Sequence, residues 1–339
     1  MDLVTGATGS LGMHIAACLL REGRTVRGLV RSASDRSRTE DFLHRHVPAT
    51  LDRWDWLEGD VEDGSTLDDA LSAGVERVFH AAAIVSFHPS DAAAMMAVNR
   101  DGTANLVDAM LHAGVKRLIH ISSVAALGRK PHEPVTEETP FEDGPEVSNY
   151  GRSKHLAERE AFRGAAEGLD VVVLNPVVIL GEGDYSRSSA ALFELVARGL
   201  NWYPTGENGF VGAWDVARAA VQLGGSEISE ERFLLCAENR SYESILSSMA
   251  RAMGKPAPKR KLRDWMMGTA WRLFAIAEFF GARKAAITKE SVAGTSQVHH
   301  YASRKLEEAL GDWSYTPVDQ VIAETSAAYL SASNPRPRT

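Results

Sequence analysis

The chain opens with a short apolar run, Leu3-Val4, that leads into Thr5-Gly6-Ala7-Thr8-Gly9-Ser10-Leu11-Gly12. Leu11, Ile15 and Leu19 then recur at the spacing of one helix face. No other feature constrains the fold as strongly as this strand, glycine loop and helix. Glycines at 6, 9 and 12 serve a tight turn, a close approach of backbone to ligand, and close packing of helix on strand. The amides at the start of the helix, together with its dipole, favour a pyrophosphate. Gly6, Gly9, Ser10, Leu11 and Gly12 therefore predict a dinucleotide site, and the segments that follow should alternate strand with helix.

They do. Apolar strand-like runs at 25–30, 54–57, 77–80, 117–121 and 171–174 alternate with helical patterns at 66–72, 92–112 and 150–167. This rhythm predicts an α/β fold, a Rossmann-type doubly wound parallel sheet, over residues 1–175. After Asn175-Pro176 the rhythm changes. Residues 176–208 are rich in Gly, Ser and Asn, with one short helical run at 190–198. Residues 209–240 should return to the sheet domain with a helix at 215–223 and a strand at 232–236. From Tyr242 the pattern reads as helical, so 176–208 and 241–330 predict a smaller, mostly helical substrate-binding part. The Pro/Ser/Arg-rich end, 331–339, should fray. The aromatic stretch 262–281 is about as long as a membrane span, but Arg263, Asp264, Arg272 and Glu278 interrupt it, so an amphipathic helix packed on the sheet domain is expected.

Charge and cysteine content exclude other classes. A formal net charge of −8 argues against a nucleic-acid partner, which needs a basic surface. Two cysteines, Cys18 and Cys236, cannot build a disulfide framework, and His44/His46 and His299/His300 lack the companion ligands of a metal site. The first residues show no basic stretch followed by an apolar one, which predicts a cytoplasmic enzyme.

Two further motifs carry chemistry. In Tyr150-Gly-Arg-Ser-Lys154 the phenol and the ammonium are four residues apart on one helix face. A nearby ammonium stabilises a phenolate, so such a pair can exchange a proton with a substrate oxygen. Ile119-His-Ile-Ser122-Ser123 is a strand ending in two serines, at the strand end where open α/β sheets bind ligands. Ser123 can hydrogen-bond the reacting oxygen there.

Together with Asp60-Val61, Ala81-Ala82-Ala83, Asn99 with Gly102-Thr103, Leu180-Gly181 and Asp215-Val216-Ala217, these motifs resemble the extended short-chain dehydrogenase/reductase family. The likeness is to its branch of epimerases/dehydratases, dihydroflavonol-reductase-like and 3β-hydroxysteroid-dehydrogenase-like enzymes, and it spans residues 2 to about 330. The resemblance implies that Asp60 and Val61 contact adenine, and that Ala81 and Ala82 line the middle of the cofactor. It further implies that Lys154 holds the nicotinamide ribose, Pro176 and Val178 border the nicotinamide, and Tyr150 is the acid/base with Ser123 as partner. Ser86, His88, Tyr185 and Tyr203 lie where relatives build the substrate pocket. Asn99 matches a position at the active-site helix, with a structural role equally open. Relatives often dimerise through two sheet-domain helices, here 92–112 and 150–167.

Two departures from that pattern bear on function. Where an NAD enzyme places an acid after its second strand, this chain has Arg31, with Arg36 and Arg38 close behind; a guanidinium suits a 2′-phosphate. Val124-Ala125 replace the acidic pair that dehydratases carry beside the catalytic hydroxyl, which disfavours dehydration. The expectation is an oxidoreductase interconverting a carbonyl and a secondary alcohol on a small molecule, preferring NADP(H), with NAD(H) possible and no metal. An NAD-retaining sugar-nucleotide epimerase and a non-catalytic nucleotide sensor remain the alternatives.

Overall fold

The computed structural model describes residues 1–72, 74–130, 133–262, 266 and 295–333. Strand β1 (Asp2–Thr5) is buried over its whole length, the mark of a central parallel strand. Its one acid, Asp2, is accommodated by charge: Arg77 donates to both carboxylate oxygens at 2.8 Å and Arg24 adds a third bond at 2.9 Å. Helix α1 (Ser10–Arg21), β2 (Val26–Val30), α2 (Ser37–His46), β3 (Trp54–Glu58), α3 (Gly64–Leu71) and β4 (Arg77–His80) follow. The helical pattern at 92–112 is realised as α4 (Ala92–Met95), a π-helical turn (Met96–Asp101) and α5 (Gly102–Ala113), with Asn99 inside the turn. Strand β5 (Arg117–Ile121), α6 (Asn149–Ala166) and β6 (Asp170–Pro176) complete the first part.

The chain then builds β7 (Val178–Leu180), α7 (Ala191–Ala197), β8 (Trp202–Tyr203), β9 (Glu207–Gly212), α8 (Ala213–Gly224), β10 (Glu231–Leu235) and β11 (Glu238–Ser241). Helix α9 (Tyr242–Ala252), β12 (Arg260–Lys261), α10 (Lys305–Leu310) and α11 (Val318–Ser333) follow. Seven parallel strands run in the order β10-β6-β5-β4-β1-β2-β3. The order reverses between β1 and β4, which opens the ligand crevice of a doubly wound sheet beyond their carboxyl ends. One apolar layer, with Ile15, Leu19, Ala217 and Leu223, joins α1 and α8 to one face of the sheet. The other, with Leu67, Leu106, Val107 and Ala161, joins α3, α5 and α6 to the opposite face.

The second part is less helical than its pattern suggests. Strands β7, β9 and β11 form a three-stranded sheet, and β8 pairs with β12; polar and glycine content hid the period-two signal in β9 and β11, and β7, β8 and β12 are too short to show one. Within 209–240, α8 and β10 join the large sheet, and β9 and β11 the small one. Past Tyr242, β12 and the bridged segment around Val298 and Tyr301 are extended. A separate apolar cluster, with Phe193, Phe210, Ile245, Met249 and Ile322, holds this part together. The aromatic stretch 262–281, except Leu262 and Met266, lies outside the described residues, as do 334–339; residues 331–333 continue α11. No helix among the described residues is long and apolar enough to cross a membrane.

Candidate active site

Strand register brings the motifs together. Thr5 pairs with His80, His80 with His120, and Ile121 with Leu174, so Gly6, Ala81 and Ser122 leave three adjacent strands at the same end. At Gly6 the backbone is left-handed (φ 67°), and a Cβ there would sit 2.6 Å from the amide nitrogen of Ala82. A Cβ on Gly12 would overlap the Gly6 carbonyl. Gly9 precedes α1 and no side chain caps the helix. Its first-turn amides therefore remain for an anion. The Ser10 hydroxyl donates to the carbonyl of Glu182 at 2.5 Å, so what Ser10 retains for a ligand is its amide. Leu11 packs partly buried on the core. The Glu182 carboxylate also takes Arg45 at 2.7 Å and His46 at 2.8 Å, latching the loop after β7 across the start of α1.

The rest of the crevice follows the strand ends. Asp60, after β3, accepts the amide of Glu62 at 3.1 Å, and Val61 is buried in the helix layer. Arg31 is exposed just after β2 and makes no ion pair among the described residues. By contrast, Arg38 lies 3.5 Å from Asp184 and Arg36 sits over the Trp56 ring. Pro176 closes β6, and Val178 turns onto the small-domain cluster. Among the described residues no group of acids, histidines and cysteines is arranged to hold a metal.

Tyr150 is half-buried on the first turn of α6, whose N-cap Ser148 accepts the amide of Gly151 at 3.0 Å. Burial raises its phenol pKa, and a hydrogen bond with the Ser123 hydroxyl works the other way. Ser123 accepts the amide of Ala125 at 3.1 Å, which leaves its own proton for Tyr150. Ser123 is thus the serine that acts on the phenol, whereas the Ser122 hydroxyl is buried with no hydrogen-bond partner. Lys154 is almost wholly buried and donates to the carbonyl of Ile121 at 2.7 Å. Burial pulls its ammonium down to about 8, with Glu158 opposing the fall.

Asn99 does a positioning task. Its amide donates to Ile84 O at 3.0 Å and Ser153 Oγ at 2.9 Å, and its oxygen accepts the Ile84 amide at 2.8 Å. Because Ser153 lies between Tyr150 and Lys154 in sequence, the π-helical turn ties the loop after β4 to α6. Sequence reasoning did not foresee a second relay around His80. Thr5 accepts the Ala82 amide, so its own proton goes to His80 Nδ1 (2.7 Å); His80 Nε2 faces Thr103 Oγ1 (2.9 Å), which itself donates to Asn99 O. Each hydroxyl's single proton is thereby allotted, which leaves His80 protonated on Nε2 and neutral, and burial pushes its pKa down to about 3.

The expected pocket residues divide. Ser86 is bound to Asp91 at 2.8 Å, and His88 accepts from Ser90 to cap a short helical turn. Between them Phe87 stands edge-on to Tyr150, ring centres 6.0 Å apart, and is 41% exposed. Tyr185 packs on Tyr329 with a buried hydroxyl that has no hydrogen-bond partner. The Glu243 carboxylate acting on Tyr203 raises its phenol pKa.

A model of the NAD dependent epimerase/dehydratase family matches residues 3–223. Sterol demethylase protein B of Methylococcus capsulatus is 32% identical over 270 residues, 78% of this chain and 78% of that one. A putative dihydroflavonol 4-reductase of Synechocystis is 30% identical over 325 residues, 91% of this chain and 88% of its own. Among solved structures, the crystal structure of gox2253 superposes with a TM-score of 0.81 at 29% identity over 98% of both chains.

Proposed function

The chain belongs to the NAD dependent epimerase/dehydratase family, and we propose that within it this protein is an NADP(H)-preferring oxidoreductase that interconverts a carbonyl and a secondary alcohol. The observation that carries the reading is the convergence of Ser123, Tyr150 and Lys154 at the carboxyl end of β5, where Lys154 donates to the Ile121 carbonyl and Ser123 opposes the burial shift of the phenol, on the same sheet edge as the glycine loop. A dinucleotide fits the residues present. The left-handed Gly6, the uncapped first turn of α1 and the overlap that excludes any Cβ at Gly12 form a cradle for a pyrophosphate. Arg31 stands ready for a 2′-phosphate.

When bound, the nicotinamide supplies or accepts a hydride. The protein's own residues do the remainder. Ser123 orients the substrate oxygen and Tyr150 gives or takes its proton. Lys154, charged below about pH 8, holds the ribose and stabilises a phenolate against the burial that disfavours it. Asn99 and Ser153 keep the two helix residues in place.

Phe87 presents apolar surface next to Tyr150, and Val85, two residues before it, is 48% exposed. This favours a carbonyl on an apolar skeleton over a sugar nucleotide, in line with the reductase name of the Synechocystis relative. The test is a panel of apolar ketones, aldehydes and alcohols, followed by nicotinamide absorbance with each cofactor. Turnover with NADPH that disappears in Tyr150→Phe is expected. Activity confined to a sugar nucleotide, with tightly retained NAD, would contradict the proposal.

A further inference from the structure

Glu158 is a buried acid with no part in the chemistry above. It lies one helical turn beyond Lys154, so Tyr150, Lys154 and Glu158 follow one another at four-residue spacing along one face of α6. It is 1% exposed. One carboxylate oxygen accepts from the Asn175 side-chain amide, and the other lies 3.2 Å from the Arg232 guanidinium on β10. That guanidinium also sits over the Phe162 ring, 5.2 Å from its centre, which fixes it against α6. The Asn175 nitrogen that meets Glu158 donates in addition to the carbonyl of Ser123 at 3.0 Å. Burying a carboxylate is costly unless it is paired and hydrogen-bonded, and packing alone would be better served by an apolar side chain.

We infer that Glu158 is a positioning residue: it keeps Lys154 charged and, through Asn175, fixes the main chain of Ser123. Its relevance to catalysis rests on the function proposed above. Among the described residues, the titratable groups acting on or beside Lys154 are Tyr150 and Glu158 on its own helix, His80 on β4 and His120 on β5. Burial holds both histidines neutral, and the Lys154 charge pushes each further down. Glu158 is therefore the anion that favours the ammonium. Without it, burial is unopposed, Lys154 becomes neutral in the working pH range, and Tyr150 is left with Ser123 alone.

The test is a pH titration of protein labelled with [13C]lysine, the Lys154 resonance being assigned by its absence from Lys154→Met. The wild-type midpoint should lie near 8, in Glu158→Gln it should fall by about one unit, and Glu158→Asp should restore most of the difference. An unmoved midpoint in a folded Glu158→Gln protein would overturn the inference. If that variant does not fold, wild type labelled with [13C]glutamate decides. The Glu158 carboxyl resonance should then show an inflection at the Lys154 midpoint, and a flat response would overturn the inference. Neither measurement needs substrate or cofactor. A protein with the expected shift but no turnover would retain the role of Glu158 and refute the reductase reading.

Discussion

Lys154 Nζ donates to the carbonyl oxygen of Ile121 at 2.7 Å, so the buried ammonium is anchored to the last residue of β5, immediately before the two serines. The bond crosses from helix to strand and sets the height of α6 over the sheet edge. It also places a positive charge where burial lowers the lysine pKa to about 8.

Removing that charge should have opposite effects on folding and on chemistry. The folded pKa of Lys154 lies below the unfolded value of 10.5, so below about pH 8 the native state carries a charge it disfavours. Relief of that penalty is worth roughly 3 kcal/mol at neutral pH, less about 1 kcal/mol for the lost hydrogen bond. Lys154→Met should therefore unfold at a higher temperature than wild type at pH 6.5, with the difference shrinking between pH 8 and 10.5. Turnover should be lost and cofactor binding weakened. Calorimetry across that pH range checks the sign, and a destabilised variant at pH 6.5 would contradict the burial argument.

Ser123 and Ser122 make an internal control. Tyr150→Phe deletes only the hydroxyl and should lower turnover by about 10²–10⁴-fold with cofactor affinity nearly intact. Ser123→Ala removes the hydroxyl proposed to orient the substrate oxygen and should cost less than Tyr150→Phe but clearly more than Ser122→Ala, whose hydroxyl has no hydrogen-bond partner. Steady-state rates of the three variants rank them. If Ser122→Ala were the most damaging, the placement of the catalytic hydroxyl would be wrong.

Three buried histidines predict acid lability. Burial lowers His14 to about 4, His80 to about 3 and His120 well below its usual value, while the unfolded chain takes up protons near 6.5. Their contribution is fully present above about 6.5 and is lost as pH falls toward the folded values, by about 1.4 kcal/mol per pH unit for each group. Urea unfolding at pH 7.5, 6 and 5 should show a steepening loss. His120 has both ring nitrogens buried without hydrogen bonds, so His120→Phe should be as stable as wild type or more so, and should flatten the acid limb. An acid limb as steep in His120→Phe as in wild type would refute this.

Local pattern carried the first half of the molecule. The glycine loop, the alternation of apolar runs with helical faces, and the four-residue spacing of Tyr150 and Lys154 are short-range signals, and each strand of residues 1–175 lies where its apolar run stands. The small sheet was not legible: β9 (Glu-Asn-Gly-Phe-Val-Gly) and β11 (Glu-Asn-Arg-Ser) are strands because of the partners they meet and not because of intrinsic preference. The same limit applies to the site. Thr5, His80 and Thr103 lie on three elements, and Glu182 meets Arg45 from 137 positions away, so no window of sequence contains either arrangement. Glu158 could have been found, because it repeats the spacing from Tyr150 to Lys154 once more along the same helix.

The proposed preference of the site for NADP(H) is read out by titrating the two cofactors. Arg31 stands exposed after β2 with no ion pair among the described residues. A 2′-phosphate there should gain a charge-assisted contact worth roughly 1.5–3 kcal/mol, about ten- to a hundredfold in affinity. NADPH and NADH are titrated by fluorescence into wild type and Arg31→Ala at low and high salt. Wild type should prefer NADPH by that factor and the preference should shrink as salt rises; Arg31→Ala should lose it while NADH binding stays nearly unchanged. Wild type that binds NADH as tightly as NADPH, or an Arg31→Ala protein that loses both equally, would contradict the claim.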